Sequence, residues 1–162
     1  MLTASALRIF IATFLIFFFA SPALATTFSG KVVKVTDGDT LQIMWNGKAE
    51  KIRLAGIDSP ESGQAFGTAA TRYALELAAQ QVVLVRVASR DRYGRMIGEV
   101  NLPDGRSLNQ ELVRAGYAWW YRKYSTDRTL ADLEDEARRN RRGLWGDPNP
   151  VPPWEWRKEK KS

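Results

Sequence analysis

Asn46-Gly47 is the sharpest structural signal in this chain. A two-residue hairpin turn of the favoured type needs positive φ at both central positions, and Asn-Gly supplies them at little cost. Before it, residues 40–45 alternate Leu41, Ile43 and Trp45 against Thr40, Gln42 and Met44, the period of a strand with one buried face. After it, residues 51–54 return antiparallel. A two-residue turn fixes the register and sets Thr40 opposite Arg53. The turn Thr36-Asp37-Gly38-Asp39 and the segment Gly56-Ile57-Asp58 therefore meet at one end of the hairpin.

The remaining segments supply partners for that hairpin. Residues 27–35, 81–87 and 96–102 read as strands rich in Val, with a connection at 90–94. Apolar residues at 66, 69, 70, 73, 74 and 77 mark a helix over 66–77. Residues 108–115 form a short helix closed by Gly116. Leu130, Leu133 and Ala137 mark a third helix. Its acids (Asp132, Glu134, Asp135, Glu136) precede Arg138, Arg139, Arg141 and Arg142, the order a helix dipole favours. The expected fold is α+β: a five-stranded oligonucleotide-binding barrel, which leaves few bare sheet edges, with three α-helices. Residues 148–153 (PNPVPP) cannot continue a helix or a strand, so the domain is placed at 26–147 and residues 148–162 read as a Pro-rich, then basic, solvated tail.

The first 25 residues read as a signal peptide. Arg8 precedes an apolar run at 9–20, Ser21-Pro22 breaks it, and Ala23-Leu24-Ala25 has the small-x-small spacing of a cleavage site. The run is short for a membrane span of ~20 residues. The mature chain is expected to begin at Thr26 and to be secreted or periplasmic.

Two absences narrow the chemistry. With no cysteine, an exported chain of 162 residues relies on core burial rather than disulfides, and thiolate chemistry is excluded. With no histidine, Ser-His-Asp triads, histidine phosphodiesterases and almost all zinc or iron sites are excluded. Acid–base groups must be carboxylates, Lys or Tyr, and any metal must take oxygen ligands: calcium, magnesium or manganese. The excess of 24 Lys+Arg over 18 Asp+Glu suggests an anionic partner, nucleic acid among them.

The hairpin end gathers the groups such chemistry needs. Asp39 and Asp58 offer two carboxylates beside turns that expose main-chain carbonyls, an open arrangement suited to a catalytic cation. Arg53 points by register toward Thr40, Glu61 follows Asp58-Ser59-Pro60 as a candidate base, and Tyr93-Gly94-Arg95 sets a second arginine on a turn. Arginine forks match phosphate oxygens as lysine does not. Taken singly, each also has a plainer reading, a loop cap or a surface ion pair.

Taken together, they resemble the staphylococcal (micrococcal) nuclease family. The likeness runs through Asp37-Gly38-Asp39-Thr40, Ile52-Arg53-Leu54, Ile57-Asp58-Ser59-Pro60-Glu61 and Asp91-Arg92-Tyr93-Gly94-Arg95. It continues through 108–118 (LNQELVRAGYA) to Gly143-Leu144-Trp145. The resemblance implies calcium-dependent cleavage of DNA and RNA to 3′-phosphate and 5′-hydroxyl ends. By motif position, Asp39 and Asp58 would bind Ca2+ through carboxylates and Ser59 through its main-chain carbonyl. Arg53 and Arg95 would grip the phosphate in the transition state, and Glu61 would be the general base. Arg92 and Tyr93 fall where the family contacts a neighbouring phosphate, and Tyr124 falls at a base-stacking position whose companion tyrosine is replaced by Arg122. Ser59 stands where the family often has Thr, Arg92 where the type enzyme has Lys, and the segment after Glu61 is shorter than in that enzyme.

From the residues alone, Tyr121 and Tyr124 are the better stacking groups for nucleobases, one of Trp119 and Trp120 belongs to the core, and Trp145 is for packing. Single strands are the preferred substrate form, and the chain is expected to be a monomer. The competing function is a binding-only module of the same fold. Such a module is expected to lack one or more of Asp39, Arg53, Asp58, Glu61 and Arg95, and none is missing.

Overall fold

In the computed structural model of the chain, residues 26–161 are described. The expected signal peptide lies outside them. The chain forms strand β1 (Thr26–Asp37), the hairpin β2 (Thr40–Trp45) and β3 (Lys48–Leu54), and a two-residue strand β4 (Ile57–Asp58). Helix α1 (Gly67–Ala78) leads to the hairpin β5 (Val82–Arg90) and β6 (Met96–Asn101). Then come α2 (Leu108–Arg114), the short β7 (Trp119–Trp120), α3 (Arg128–Arg139), a 3₁₀ turn (Gly143–Gly146) and α4 (Pro153–Glu159).

Five strands close into a barrel in the order β1-β2-β3-β6-β5. Asn46 and Gly47 have φ of 49° and 75°, as the turn demands, and Thr40 pairs with Arg53 as the two-residue loop requires. β3 extends back to Lys48, immediately after the turn. Closure comes from a parallel pairing of β3 with β6, which sets Ile97 beside Arg53. Long β1 serves two neighbours: its first half pairs with β5 and its second half with β2. Register shifts between Val32 and Lys34 and between Val35 and Asp37 bend it from one to the other, as bulges do at barrel corners.

The strand alternation places Val32, Leu41, Ile43, Ile52, Leu54, Val83, Val85 and Val100 inside, all at or below 1 % exposure. Helices α1 and α2 cover the barrel with Ala74, Ala78, Leu108, Leu112 and Val113. Burial of this order, at about 25 cal/mol per Å² of apolar surface, is what holds a chain without cysteine. A second cluster joins Trp119, Ala137, Leu144 and Trp145, with Phe66 and Trp154 packed against it. Trp119 is thus the core member of the Trp pair, and Trp145 packs against it at a ring distance of 4.4 Å.

Two features differ from the sequence reading. The acids of α3 do not lie in its first turn, which begins at Arg128, and Glu134 is 1 % exposed and held by Arg122 and Arg138, each at 3.1 Å. The C-terminal segment is not a solvated tail. Pro153 stands at the first turn of α4, where proline's missing N–H costs nothing, and the helix packs back on the domain. Trp154 lies parallel to Tyr121 at 5.2 Å and edge-on to Trp119 at 5.6 Å. The described residues therefore hold four α-helices where three were expected.

Candidate active site

The site lies where the β1–β2 turn, the end of β3, β4 and the loop after β4 converge. Asp39 and Asp58 are 5 % and 1 % exposed, and Ser59 is 4 % exposed. The Asp37 side chain accepts from the Asp39 amide at 3.1 Å, a local bond that shapes the turn. The Asp39 carboxylate in turn accepts from the Ser59 amide at 2.6 Å and from the Thr40 hydroxyl at 3.2 Å. Gly38 makes room for this approach: a Cβ there would come within 2.8 Å of the Ser59 side chain.

Arg53 ties the rest together. Its Nη1 donates to the carbonyls of Leu54 and Ile57, each at 2.9 Å, and its Nη2 lies 2.8 Å from Asp58 Oδ1 and 3.2 Å from Asp39 Oδ2. A guanidinium so used is a structural clamp on the β3–β4 connection as well as a charge. Asp58 is held from its other side by the pairing of β4 with β7, Asp58 opposite Trp119. Asn109 of α2 braces the same connection, donating to Ala55 and Gly98 carbonyls and accepting from the Val100 amide.

Glu61 stands on the loop that enters α1. Its carbonyl accepts from the Gln64 amide, and its amide donates to the Gln64 side chain at 3.2 Å. Gly67 packs so close to the Glu61 carbonyl that a side chain there would collide with it. The Glu61 side chain is 40 % exposed and meets Arg157 of α4 at 2.6 Å. Arg157 also contacts both oxygens of Asp58, at 2.8 and 3.2 Å. Sequence reasoning missed Arg157. Pro152-Pro153 before Trp154 and Trp156 signals the start of its helix, but nothing in the sequence signals its contacts.

Electrostatics follow from burial. Desolvation pushes the Asp39 carboxyl up to about 7, with Arg53 opposing it, and the charges of Asp37 and Asp58 adding to it. For Arg157, partial burial disfavours the charge, but bonds to Asp58 and Glu61 outweigh it and keep the guanidinium protonated. The donor set fits a hard divalent cation: two buried carboxylates, a neighbouring main-chain carbonyl at Ser59, and a Ser59 hydroxyl buried without a hydrogen-bond partner. Among the described residues no three acidic side chains cluster closely enough to bind a metal alone, so water and substrate would complete the shell.

Asp39, Arg53, Asp58, Ser59 and Glu61 are thus brought together. Arg95 sits apart, in the β5–β6 turn, with its Nε donating to Asp91 at 2.7 Å. That carboxyl also accepts from the amides of Tyr93 and Arg95. Slight desolvation raises its pKa, and these bonds outweigh that effect, leaving it below the usual carboxylate range. Arg95 nevertheless enters β6 two positions before Ile97, the residue paired with Arg53. Arg92 and Tyr93 share the turn, both exposed, the Arg92 guanidinium 4.9 Å from the Tyr93 ring. Tyr124 is 68 % exposed, edge-on to Tyr121 at 4.7 Å, while Tyr121 has one face against Trp154.

With this geometry in hand, comparison with known proteins is decisive. Residues 51–147 match the family described as "Staphylococcal nuclease homologue". The chain belongs to that family. It is similar to an Escherichia coli protein named "Uncharacterized endonuclease", 48% identical over 90% of this chain and 95% of that protein. It is also similar to a Shigella flexneri protein named "Micrococcal nuclease", 43% identical over 83% of each chain. A Haemophilus influenzae protein, again named "Uncharacterized endonuclease", is 39% identical over 81% of this chain. The family's barrel with helices is the architecture found here.

Proposed function

We propose that this nuclease is a calcium-dependent phosphodiesterase that hydrolyses DNA and RNA by in-line attack of water, giving 3′-phosphate and 5′-hydroxyl ends. The observation that carries this reading is the convergence of Asp39, Arg53, Asp58, Ser59 and Glu61 at one end of the barrel. Calcium is favoured because its shell is large and irregular and accepts ligands from separate turns, whereas magnesium demands short bonds at near-ideal octahedral angles. Held by Asp39, Asp58 and the Ser59 carbonyl, it would supply charge neutralisation at the phosphate and an acidified water.

The chain's own residues do the rest. The Arg53 and Arg95 forks bind the phosphate as its negative charge grows, an effect larger in a partly desolvated site than in water. Glu61 is the base toward the attacking water, and its 40 % exposure leaves it reachable by solvent. Arg92 and Tyr93 hold a neighbouring phosphate, and Tyr121 and Tyr124 offer ring faces to unpaired bases, which favours single strands. The protein acts as a monomer after removal of residues 1–25, secreted or in a periplasm. Mass spectrometry of the exported protein is expected to give an N-terminus at Thr26.

One experiment tests the reading. The chain from Thr26 onward is incubated with plasmid DNA and with RNA in calcium, magnesium or chelator. Cleavage of both in calcium, little in magnesium and none in chelator is expected, with 5′-hydroxyl ends. Full turnover in chelator would overturn the metal assignment, and tight binding without cleavage would make the chain a binding module.

A further inference from the structure

Among the described residues, Arg157 is the one strong side-chain contact to the carboxylate group that comes from outside the barrel and its connections. Three features aim it there. Gln64, on the loop after Glu61, donates to the Val151 carbonyl at 2.6 Å and pins the chain just before α4. Trp154 is held between Tyr121 and Trp119, and Trp119 is the residue paired with Asp58. Arg157 follows Trp154 by three residues, so both project from one face of α4.

Its role differs from that of Arg53. Arg53 is 14 % exposed and also holds two main-chain carbonyls besides its carboxylates. Arg157 is 38 % exposed, and among the described residues its guanidinium bonds to Asp58 and Glu61. Three carboxylates, Asp39, Asp58 and Glu61, thus face two guanidiniums. A divalent cation on Asp58 would set two positive charges beside Arg157 and take over its partner. A phosphodiester arriving with that cation would bring back an anion of the shape that an arginine fork matches.

We propose that Arg157 is a further phosphate-positioning residue of this site: it holds Asp58 and Glu61 while the site is empty, and passes to a non-bridging phosphate oxygen when a cation takes Asp58. The inference deepens the calcium-dependent nuclease reading and rests on it. By linkage, a guanidinium that competes with the cation must weaken calcium binding in the absence of substrate, and calcium must loosen the Arg157 contact by the same factor.

The test uses the full chain from Thr26 with Arg157→Ala and Arg157→Lys, whose thermal unfolding reports that α4 remains anchored through Trp154. Calcium alone is titrated by calorimetry, and a short single-stranded oligodeoxynucleotide is cleaved in saturating calcium. Arg157→Ala is expected to bind calcium about tenfold more tightly, within the usual range for coupled sites. Its KM is expected to rise by about tenfold with kcat within a few fold, as for a lost ground-state contact, and Arg157→Lys should recover part of that KM. Unchanged calcium affinity overturns the exchange. Tighter calcium binding with unchanged KM also overturns the proposal, since Arg157 is then only a plug. If the wild-type chain takes up no calcium, the metal assignment itself fails, and the KM comparison still decides whether Arg157 meets the phosphate.

Discussion

The Ser59 amide donates to Asp39 Oδ2 at 2.6 Å across twenty residues of sequence. This short bond fixes the β1–β2 turn against the segment that carries Asp58, so the two carboxylates are held at a set spacing before any ligand arrives. A preset spacing lowers the ordering cost of binding a cation. Asp39→Asn keeps the side-chain volume but removes the charge. It is expected to weaken calcium binding by roughly tenfold or more, at least what losing a hydrogen-bond partner of a metal ligand costs. Calorimetric affinity equal to wild type would move the cation away from Asp39.

Arg53 and Arg95 should separate when each is changed to lysine. Both variants keep the charge and lose the fork, so turnover is expected to fall by about 10²-fold or more in each, by analogy with removing one preorganised donor. Only Arg53→Lys is expected to lower the melting temperature clearly. Arg53 satisfies two main-chain carbonyls and two buried carboxylates, whereas Arg95 closes an exposed turn with Asp91. Melting curves alongside single-turnover rates measure both, and equal destabilisation would contradict the distinction.

Glu61→Gln keeps size and hydrogen bonding while removing charge and basicity. If Glu61 is the base, turnover should drop by roughly 10²–10⁴-fold, the usual worth of a positioned acid–base group. Oligonucleotide affinity in calcium should stay near wild type. Cleavage within a few fold of wild type would take Glu61 out of the mechanism, and parallel loss of binding would make it a scaffold residue.

Gly67→Ala adds one methyl that collides with the Glu61 carbonyl. The loop between Asp58 and α1 must shift to admit it, at a cost of about 1–3 kcal/mol for overpacking. Because that carbonyl belongs to Glu61, activity is expected to fall by more than the loss of stability explains at a temperature where the variant is fully folded. A variant of full activity would show that the loop position is not critical.

The barrel and the centre of the site were readable because they are specified locally. Asn46-Gly47 dictates the Thr40–Arg53 register, and from that register follows the meeting of Asp39 with the segment ending in Asp58. The braces were not readable. The Asp58–Trp119 pairing, the Asn109 bonds to Ala55 and Gly98, and the Arg157 contacts join residues far apart in sequence, and no periodicity encodes them. Residues 148–153 misled for a physical reason. Proline stops an element, but Pro153 also starts one, and only the aromatic seat offered by Trp119 and Tyr121 decides that α4 docks.

The pairing of β4 with β7 has a consequence for the order in which this molecule is built. All five barrel strands have been made once the chain reaches Asn101, yet the partner that braces Asp58 is Trp119. The helix that seats against it begins only at Pro153. Contacts of such long sequence separation form late, because their loop-closure entropy is met last. A chain emerging from a ribosome can therefore own a barrel before it owns a finished set of blades.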